Sequence, residues 1–186
     1  MEVKGTAVVV LPQFIRTKFG ENSFNQWLAA LSPLAREVYS KPILTNNWFP
    51  LKEILVEPTQ KICDVFYGGK MEGACECGRF SADYALKGIY RVFLKIGSPE
   101  FVINRASLVL PTYYRPSKII VPSHEKGHAL FRIVEFPDMN KVIEHRIIGW
   151  MEQALTICGC KNPKVKIVAS LTEGKPYTEL DVVWSA

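Results

Sequence analysis

Signals for membrane insertion, export and disulfide crosslinking are missing from this chain of 186 residues. No apolar run approaches the ~18–20 residues that a membrane-spanning helix needs. The first residues, with Glu2 and Lys4 before a short apolar run, lack the layout of a signal peptide. Five cysteines are an odd number, in a chain large enough to fold without disulfide bonds. We therefore expect a soluble, cytoplasmic protein whose thiols are reduced.

Charge clusters and the common catalytic motifs are also missing from the sequence. The net charge of +5 is spread along the chain, which argues against a nucleic-acid surface. No glycine-rich phosphate loop, nucleophile elbow or Ser/His/Asp spacing occurs, and no internal repeat is visible. The hydrophobic content of 48% and the chain length suit a single ligand-binding-like domain, residues 1–186, with a sizeable core.

The patterns that are present are strongest in the second half of the chain. Apolar residues recur at helical spacing from Asp138, which we expect as the cap, to Gly159, which ends the helix. Alternating residues predict a hairpin over 117–136 before this helix and another over 165–184 after it. Residues 117–186 are therefore predicted as hairpin, helix, hairpin.

The first part of the chain, residues 1–116, shows mostly helical patterns. A helix kinked or restarted at Pro58 is predicted to precede a second long helix over 74–96. Another helix, opened by Ser98–Glu100 and running through Leu110, is expected to be broken by the stretch from Pro111 to Pro116. The predicted fold class is α+β: a helical N-terminal half packed with a four- or five-stranded, mostly antiparallel sheet and a long C-terminal helix.

One literal motif, HEKGH at His124–His128, matches the H-E-x-x-H signature of zinc proteases. In those enzymes a helix places both histidines on one face, with the glutamate as base. Here Gly127 would cost a helix ~1 kcal/mol, and strand-like residues lie on both sides. We expect both histidines in the loop between two strands, and we expect no stoichiometric zinc.

Two C-x-C pairs in principle supply four thiolates to a structural zinc: Cys75 with Cys77, and Cys158 with Cys160. This spacing is a looser signal than paired C-x-x-C motifs. Cys158 also falls on the apolar face of the predicted helix. We therefore interpret these residues as buried reduced thiols and expect no metal site.

Aromatic residues gather on the two long helices and at the break between helix and sheet. Most such residues pack a core, but a cluster with polar tips also suits the wall of an apolar ligand pocket. We expect a pocket of about a few hundred Å³ at this place. The candidate ligand-binding residues are Phe80, Tyr84, Tyr113, Tyr114 and Trp150.

Charged residues recur at every fourth position of the predicted helix 74–96. This spacing places them on one helix face. A solvated face is the ordinary interpretation, and a docking surface for an acidic partner is the alternative. We call the four basic residues of this face the basic stripe: Arg79, Lys87, Arg91 and Lys95. Asp83 lies on the same face.

Short motifs along nearly the whole chain match one family pattern. They are Val3–Thr6, Asn47–Leu51, Gly78–Arg79, Gly88–Arg91, Gly149–Trp150 and the final hairpin ending in Trp184. With these motifs the chain resembles an uncharacterised family first catalogued in myxobacteria. That family is similar to the heme NO-binding domain, the 4-vinyl reductase ligand-binding domain and the TRAPP vesicle-tethering subunits. The resemblance implies helices packed on an antiparallel sheet, in a binding or sensing module more than an enzyme.

The cofactor-binding residues of those relatives are not matched in this sequence. Heme NO-binding domains ligate iron through a histidine on a helix in mid-chain, but the first histidine here is His124. Their Tyr-x-Ser-x-Arg motif is echoed only from Tyr114, with Pro116 in place of the serine and Lys118 in place of the arginine. The zinc-binding cysteines of many 4-vinyl reductase domains lie near the last hairpin, and no cysteine follows Cys160. We expect neither cofactor.

These observations favour a non-enzymatic cytoplasmic sensor or adaptor domain for signalling. It would hold a small apolar molecule between the helices and the sheet. The first alternative is a protein-interaction scaffold, working as a homodimer or with another protein and without a small ligand. The second alternative is a zinc hydrolase acting through HEKGH. Nucleic acid and a membrane span are not expected.

Overall fold

The computed structural model describes residues 1–87 and 99–185, and it has an α+β architecture. Helices make up most of the described chain before residue 114. The helical elements are α1 (Gly5–Val8), α2 (Val10–Phe19), α3 (Glu21–Ala29), α4 (Pro33–Tyr39), a π-helical turn (Lys52–Val56), α5 (Glu57–Phe66), α6 (Glu72–Lys87), α7 (Pro99–Tyr113), α8 (Lys141–Ile157) and a 3-10 turn (Leu171–Glu173). No helix in these described ranges has the length and apolarity to cross a bilayer.

Two antiparallel sheets lie beside these helices. The three-stranded sheet has the order β2-β1-β3, and the four-stranded sheet has the order β4-β5-β7-β6. The strands are β1 (Glu2–Lys4), β2 (Trp48–Pro50), β3 (Tyr114–Arg115), β4 (Lys118–Glu125), β5 (His128–Glu135), β6 (Lys161–Ala169) and β7 (Thr178–Ser185). The predicted four-stranded, antiparallel sheet is present, and the three-stranded sheet is an addition to it.

The strands β1 and β2 were not predicted, because three residues are too few to show alternation. The pairing of Val3 with Phe49 and with Tyr114 joins segments far apart in the chain, which no local pattern reveals. The predicted long C-terminal helix corresponds to α8, but it is not the last element. The hairpin β6–β7 follows it, and the described chain ends with β7.

Prolines and caps explain several helix boundaries. Pro58 lies in the first turn of α5, where its missing N–H costs nothing, so the helix restarts there after the π-helical turn. Pro111 lies inside α7, which ends at Tyr113, within the break predicted from Pro111 to Pro116. The predicted helix over 74–96 is described only to Lys87, and residues 88–96 lie outside the described part.

Helix α8 begins at a different cap from the one expected. The side-chain oxygen of Asn140, not of Asp138, accepts the backbone N–H of Ile143 at 3.1 Å. The amide group thereby satisfies one of the free donors of the first turn. At the other end Gly159 has a φ of +90°, and it closes the helix as the sequence predicts.

Helix α8 is the central layer, with α6 on one side and β6 on the other. Its buried side chains reach both neighbours, because residues two positions apart on a helix point in nearly opposite directions. Glu144 therefore faces the hairpin β6–β7, and Arg146 faces the helices. The main hydrophobic core is continuous from the N-terminal helices, through Leu11 and Leu55, to the sheet at Ile133 and Leu180.

Candidate functional site

A small apolar cavity lies between α6, α7, α8 and the four-stranded sheet, and its volume is about 80 Å³. Helix α7 lines it with Ile103 and Leu110, α8 with Ile147 and Met151, and β5 with Phe131. Large side chains fill most of the space between these layers. The cavity is consequently smaller than the few hundred Å³ expected from the sequence.

Three of the five candidate aromatic residues line this cavity: Tyr113, Tyr114 and Trp150. The Tyr113 ring packs edge-on against Trp150, with ring centroids 6.4 Å apart. Tyr114 is buried, and its ring centroid lies 5.4 Å from that of Phe136. The three rings form one continuous aromatic side of the cavity. That they bind a ligand remains a prediction.

The other two candidates, Phe80 and Tyr84, do not line the cavity. Phe80 packs against Phe14 with ring centroids 5.6 Å apart, and Tyr84 is 44% exposed. Helix α6 turns Gly78 and Ser81 toward the cavity instead. Residues 80 and 84 are one turn apart on a neighbouring face, because a helix repeats every 3.6 residues.

Two buried N–H groups on α8 distinguish this cavity from an ordinary packing defect. Arg146 is 3% exposed and donates one hydrogen bond, from Nη1 to Thr59 Oγ1 at 3.2 Å. Its Nε and the indole Nε1 of Trp150 are buried, and neither has an acceptor among the described residues. Both side chains line the cavity, and they lie four residues apart on one helix face.

Sequence reasoning did not select Arg146. It lies inside the apolar repeat of the predicted helix, just before Ile147, so the sequence already placed a cation near the core. A charged residue is almost never fully buried unless it is paired. An arginine within the apolar repeat was therefore the signal that could have identified Arg146. The repeat alone does not show which face of the helix becomes buried against other elements.

Close contact between α6 and α8 brings these groups together. A Cβ atom on Gly78 would lie 2.1 Å from the carbonyl oxygen of Arg146, and one on Gly149 would lie 1.9 Å from the carbonyl oxygen of Cys75. Real Cβ atoms do not approach backbone that closely, so each glycine permits the crossing on its own helix. Arg146 and Trp150 flank Gly149 and are thereby held against α6.

The basic stripe is only partly described. Arg79 donates hydrogen bonds to Glu72 at 2.7 Å, Glu76 at 2.6 Å and Glu152 at 2.8 Å, so its guanidinium joins α6 to α8. The side chain of Lys87, and all of Arg91 and Lys95, lie outside the described residues. A docking function of the stripe remains a prediction.

The HEKGH motif lies at the tip of the hairpin β4–β5. Both histidines belong to strands, and the turn consists of Lys126 and Gly127, so their placement in a loop was wrong. His124 pairs with Ala129, whereas His128 pairs with Glu125. Successive residues of a strand point to opposite faces, which puts the two imidazoles on opposite sides of the hairpin. The helical geometry of a zinc protease does not form here.

The cysteines are not arranged as metal ligands in the described part of the chain. No group of three or more His, Cys, Asp or Glu residues suitable for a metal occurs within residues 1–87 and 99–185. Burial raises the pKa of Cys75 and of Cys77 to about 12. Burial likewise raises the pKa of Cys63 and Cys158 above the usual value. These thiols are therefore protonated and weakly reactive at neutral pH.

We expect the native protein at pH 8 to resist a thiol reagent such as dithionitrobenzoate at Cys63, Cys75 and Cys77. Their burial limits access, and their raised pKa removes the reactive thiolate. Unfolding in guanidinium should expose all five thiols. The partly buried Cys158 is the internal comparison, and a Cys158→Ser variant identifies its signal. Rapid labelling of Cys77 in the folded protein would contradict the buried-thiol interpretation.

Comparison with known proteins identifies the fold. No protein-family model and no curated protein matches the chain. Among solved structures it is similar to an H-NOX (heme NO-binding) protein from S. oneidensis in the Fe(II)NO state, with a TM-score of 0.77, 13% identity, and coverage of 98% of this chain and 99% of that one. It is also similar to the Fe(II) unliganded H-NOX protein from K. algicida, with a TM-score of 0.71, 9% identity, and coverage of 98% and 97%.

A mutant of the T. Tengcongensis H-NOX protein is similar as well, with a TM-score of 0.70, 15% identity and coverage of 98% of both chains. The likeness covers nearly the whole chain, and at these identities it establishes the fold alone. The expected resemblance to heme NO-binding domains is confirmed at that level. The resemblances to the myxobacterial family, the 4-vinyl reductase domain and the TRAPP subunits remain predictions.

Proposed function

We propose that this chain is a non-enzymatic sensor or adaptor domain that binds a small molecule in the cavity beside α8. The observation that carries the proposal is the cavity itself: its wall is mainly apolar, yet it includes Arg146 and Trp150, each of which has a buried N–H without an acceptor among the described residues. A few polar groups in an apolar wall are typical of small-molecule sites. The fold supports the proposal, since the similar solved structures are ligand-binding H-NOX proteins.

Heme is the cofactor that the fold suggests, and the residues around the cavity do not fit it. The lining contains no histidine and no cysteine, and all three histidines of the chain lie elsewhere. The cavity of about 80 Å³ is also far below the ~300–1,000 Å³ of sites for larger ligands. The proposed ligand is therefore bound by the protein's own side chains, without iron.

We expect hemin added to the purified protein to form no one-to-one complex with a Soret band. The physical reason is the small cavity volume, together with a lining that contains neither histidine nor cysteine as an axial ligand. Absorption titration, with myoglobin apoprotein as a positive control, measures this directly. A saturating one-to-one Soret band would overturn the iron-free part of the proposal. Loss of that band in Tyr114→Phe or Met151→Leu would then identify the ligand.

Binding in the cavity is testable with a small neutral probe, 1-butanol, followed by NMR chemical shifts and thermal unfolding. We expect Ala154→Val to fill part of the cavity, because Ala154 lines it and is 1% exposed. This variant should weaken butanol binding severalfold at little cost in stability. The matched control is Ala35→Val, which enlarges an equally buried alanine elsewhere in the core and should destabilise by about 1–3 kcal/mol.

The proposal would be overturned if butanol shifts no resonance near α8, or if Ala154→Val binds it as well as the unaltered chain does. Mass spectrometry of the denatured purified protein adds an independent measurement, since a co-purified small molecule would name the ligand. A folded Ala35→Val variant that retains binding shows that any loss in Ala154→Val comes from the cavity and not from general instability.

A further inference from the structure

Arg146 is a buried cation that has no anion beside it among the described residues. Its side chain is 3% exposed, and its one hydrogen bond goes to the neutral hydroxyl of Thr59. No carboxylate of the described residues forms an ion pair with it, although its neighbour Glu144 is equally buried. Glu144 is turned to the opposite side of α8, where Ser170 and Thr178 donate to it. An unpaired charge inside a protein is costly, so this position is suited to a bound anion.

The buried groups close to Arg146 do not supply that negative charge. Tyr39 and Cys77 both lie near enough to interact with the guanidinium. Burial raises the pKa of Cys77 to about 12, and it raises the pKa of Tyr39 still further above its ordinary value. Both groups are therefore neutral at pH 7. The charge of Arg146 remains uncompensated within the described chain.

Trp150 supplies the second donor and determines the shape of the acceptor. Its Nε1 is buried without an acceptor, one helical turn beyond Arg146 and on the same face of α8. A buried cation with a second N–H donor one turn away on the same helix face suits an anionic acceptor that offers two oxygen atoms, such as a carboxylate. Ser81 on α6 adds a hydroxyl to the same cavity.

The other residues that line the cavity determine which chemical group the ligand can carry besides its carboxylate. Ile103, Leu110 and Ile147 are aliphatic, and Tyr113 and Phe131 present rings. Such a wall favours an alkyl chain over a second polar group. The length of that chain is limited, because the volume of about 80 Å³ is roughly half that of a ~150 Å³ cavity that admits benzene.

We propose that this cavity binds a short-chain monocarboxylate of about two to four carbons, with its carboxylate on Arg146 and Trp150 and its alkyl group against Leu110 and Ile147. The inference rests on the proposed function and specifies its ligand class. A longer fatty acid exceeds the space, and a dicarboxylate would bury a second charge without a partner.

Isothermal titration calorimetry of the full chain at pH 7 tests the ligand class. Sodium butyrate and propionate should bind saturably, and butyrate should bind at least about tenfold more tightly than neutral butyramide. Octanoate should bind at least about tenfold more weakly than butyrate, because the cavity is too short for it. Equal affinity for butyrate and butyramide overturns the inference. So does displacement of butyrate by an equal concentration of chloride, since this indicates a general anion site.

Two variants locate the carboxylate. Trp150→Phe keeps an aromatic ring but removes the N–H donor along with part of the indole, so butyrate affinity relative to that of neutral butyramide should fall about threefold to tenfold. Arg146→Met removes the charge and should lower the affinity by more than about tenfold. Thr59→Val is the matched control for the lost hydroxyl contact and should bind butyrate normally. Unchanged affinity in both Trp150→Phe and Arg146→Met overturns the inference.

The melting temperature of the free protein provides a second measurement on Arg146. A ligand-binding cation without a counter-ion should destabilise the empty protein, so Arg146→Met should melt at the same temperature or higher. A purely structural arginine would give a large decrease. Should Arg146→Met fail to fold, Trp150→Phe still decides the outcome. If 1-butanol binds but butyrate has no advantage, this inference fails alone; if neither binds, the proposed function fails with it.

Discussion

Gly149→Ala is expected to lower the free energy of unfolding by about 2–4 kcal/mol. The new methyl carbon would stand 1.9 Å from the carbonyl oxygen of Cys75 and 2.9 Å from its Cα, so backbone and not a flexible side chain must move. Alanine gains roughly 1 kcal/mol in helix propensity over glycine, which offsets only part of the clash. Urea denaturation followed by circular dichroism measures the change.

The matched control is Thr156→Ala, an exposed position on the same helix. It should change stability by no more than about 0.5 kcal/mol. Gly78→Ala should resemble Gly149→Ala, because its Cβ would meet the carbonyl oxygen of Arg146 at 2.1 Å. Full stability of Gly149→Ala would mean that α6 and α8 do not cross as closely as described. The cavity that depends on their contact would then need another account.

Glu144→Ala is expected to lower the free energy of unfolding by about 2–4 kcal/mol. Glu144 is 3% exposed, and its Oε1 accepts hydrogen bonds from Ser170 Oγ at 2.6 Å and Thr178 Oγ1 at 2.9 Å. Both hydroxyl groups are themselves buried, so removing the carboxylate leaves the Thr178 hydroxyl short of an acceptor and leaves Ser170 Oγ with Thr172 Oγ1, at 2.6 Å, as its alternative partner. Hydrogen bonds to a charged acceptor are stronger than those between neutral groups. Thermal and urea unfolding both report this loss.

Glu144→Gln is the comparison that separates hydrogen bonding from packing. The amide keeps one oxygen acceptor and the side-chain shape, so its cost should be about 1 kcal/mol. The double variant Thr178→Val/Glu144→Ala should lower the free energy of unfolding by less than the sum of the two single changes, because the two residues share one hydrogen bond. Strict additivity would show that Glu144 and Thr178 act independently, against the geometry described.

These two predictions concern opposite faces of one helix. Gly149 sets the distance from α8 to α6, and Glu144 fixes α8 to the turn between β6 and β7. The Arg146 side chain lies on the α6 side, where any change in helix spacing would alter the cavity. We therefore expect Gly149→Ala to weaken butyrate binding as well as stability, whereas Glu144→Gln should leave the affinity nearly unchanged.

The sequence determined the local elements around the cavity. Helical spacing of apolar residues placed α8, and alternation placed the hairpins β4–β5 and β6–β7, since each signal arises within a single segment. The turn at Gly127 also showed that HEKGH would not form a helix. Tyr113, Tyr114 and Trp150, which the sequence suggested as ligand-binding residues, line the cavity, whereas Phe80 and Tyr84, suggested with them, do not.

Only the tertiary structure decided which groups face the cavity and which remain unpaired. Val3 forms a sheet with Phe49 and Tyr114, and the close crossing at Gly78 and Gly149 joins residues about 70 positions apart. Composition and periodicity give the hydrophobic character of each face, but enclosure depends on packing between distant segments. That packing buries Arg146 without a carboxylate partner among the described residues, so the residue on which the proposed ligand depends is recognised only in the folded chain.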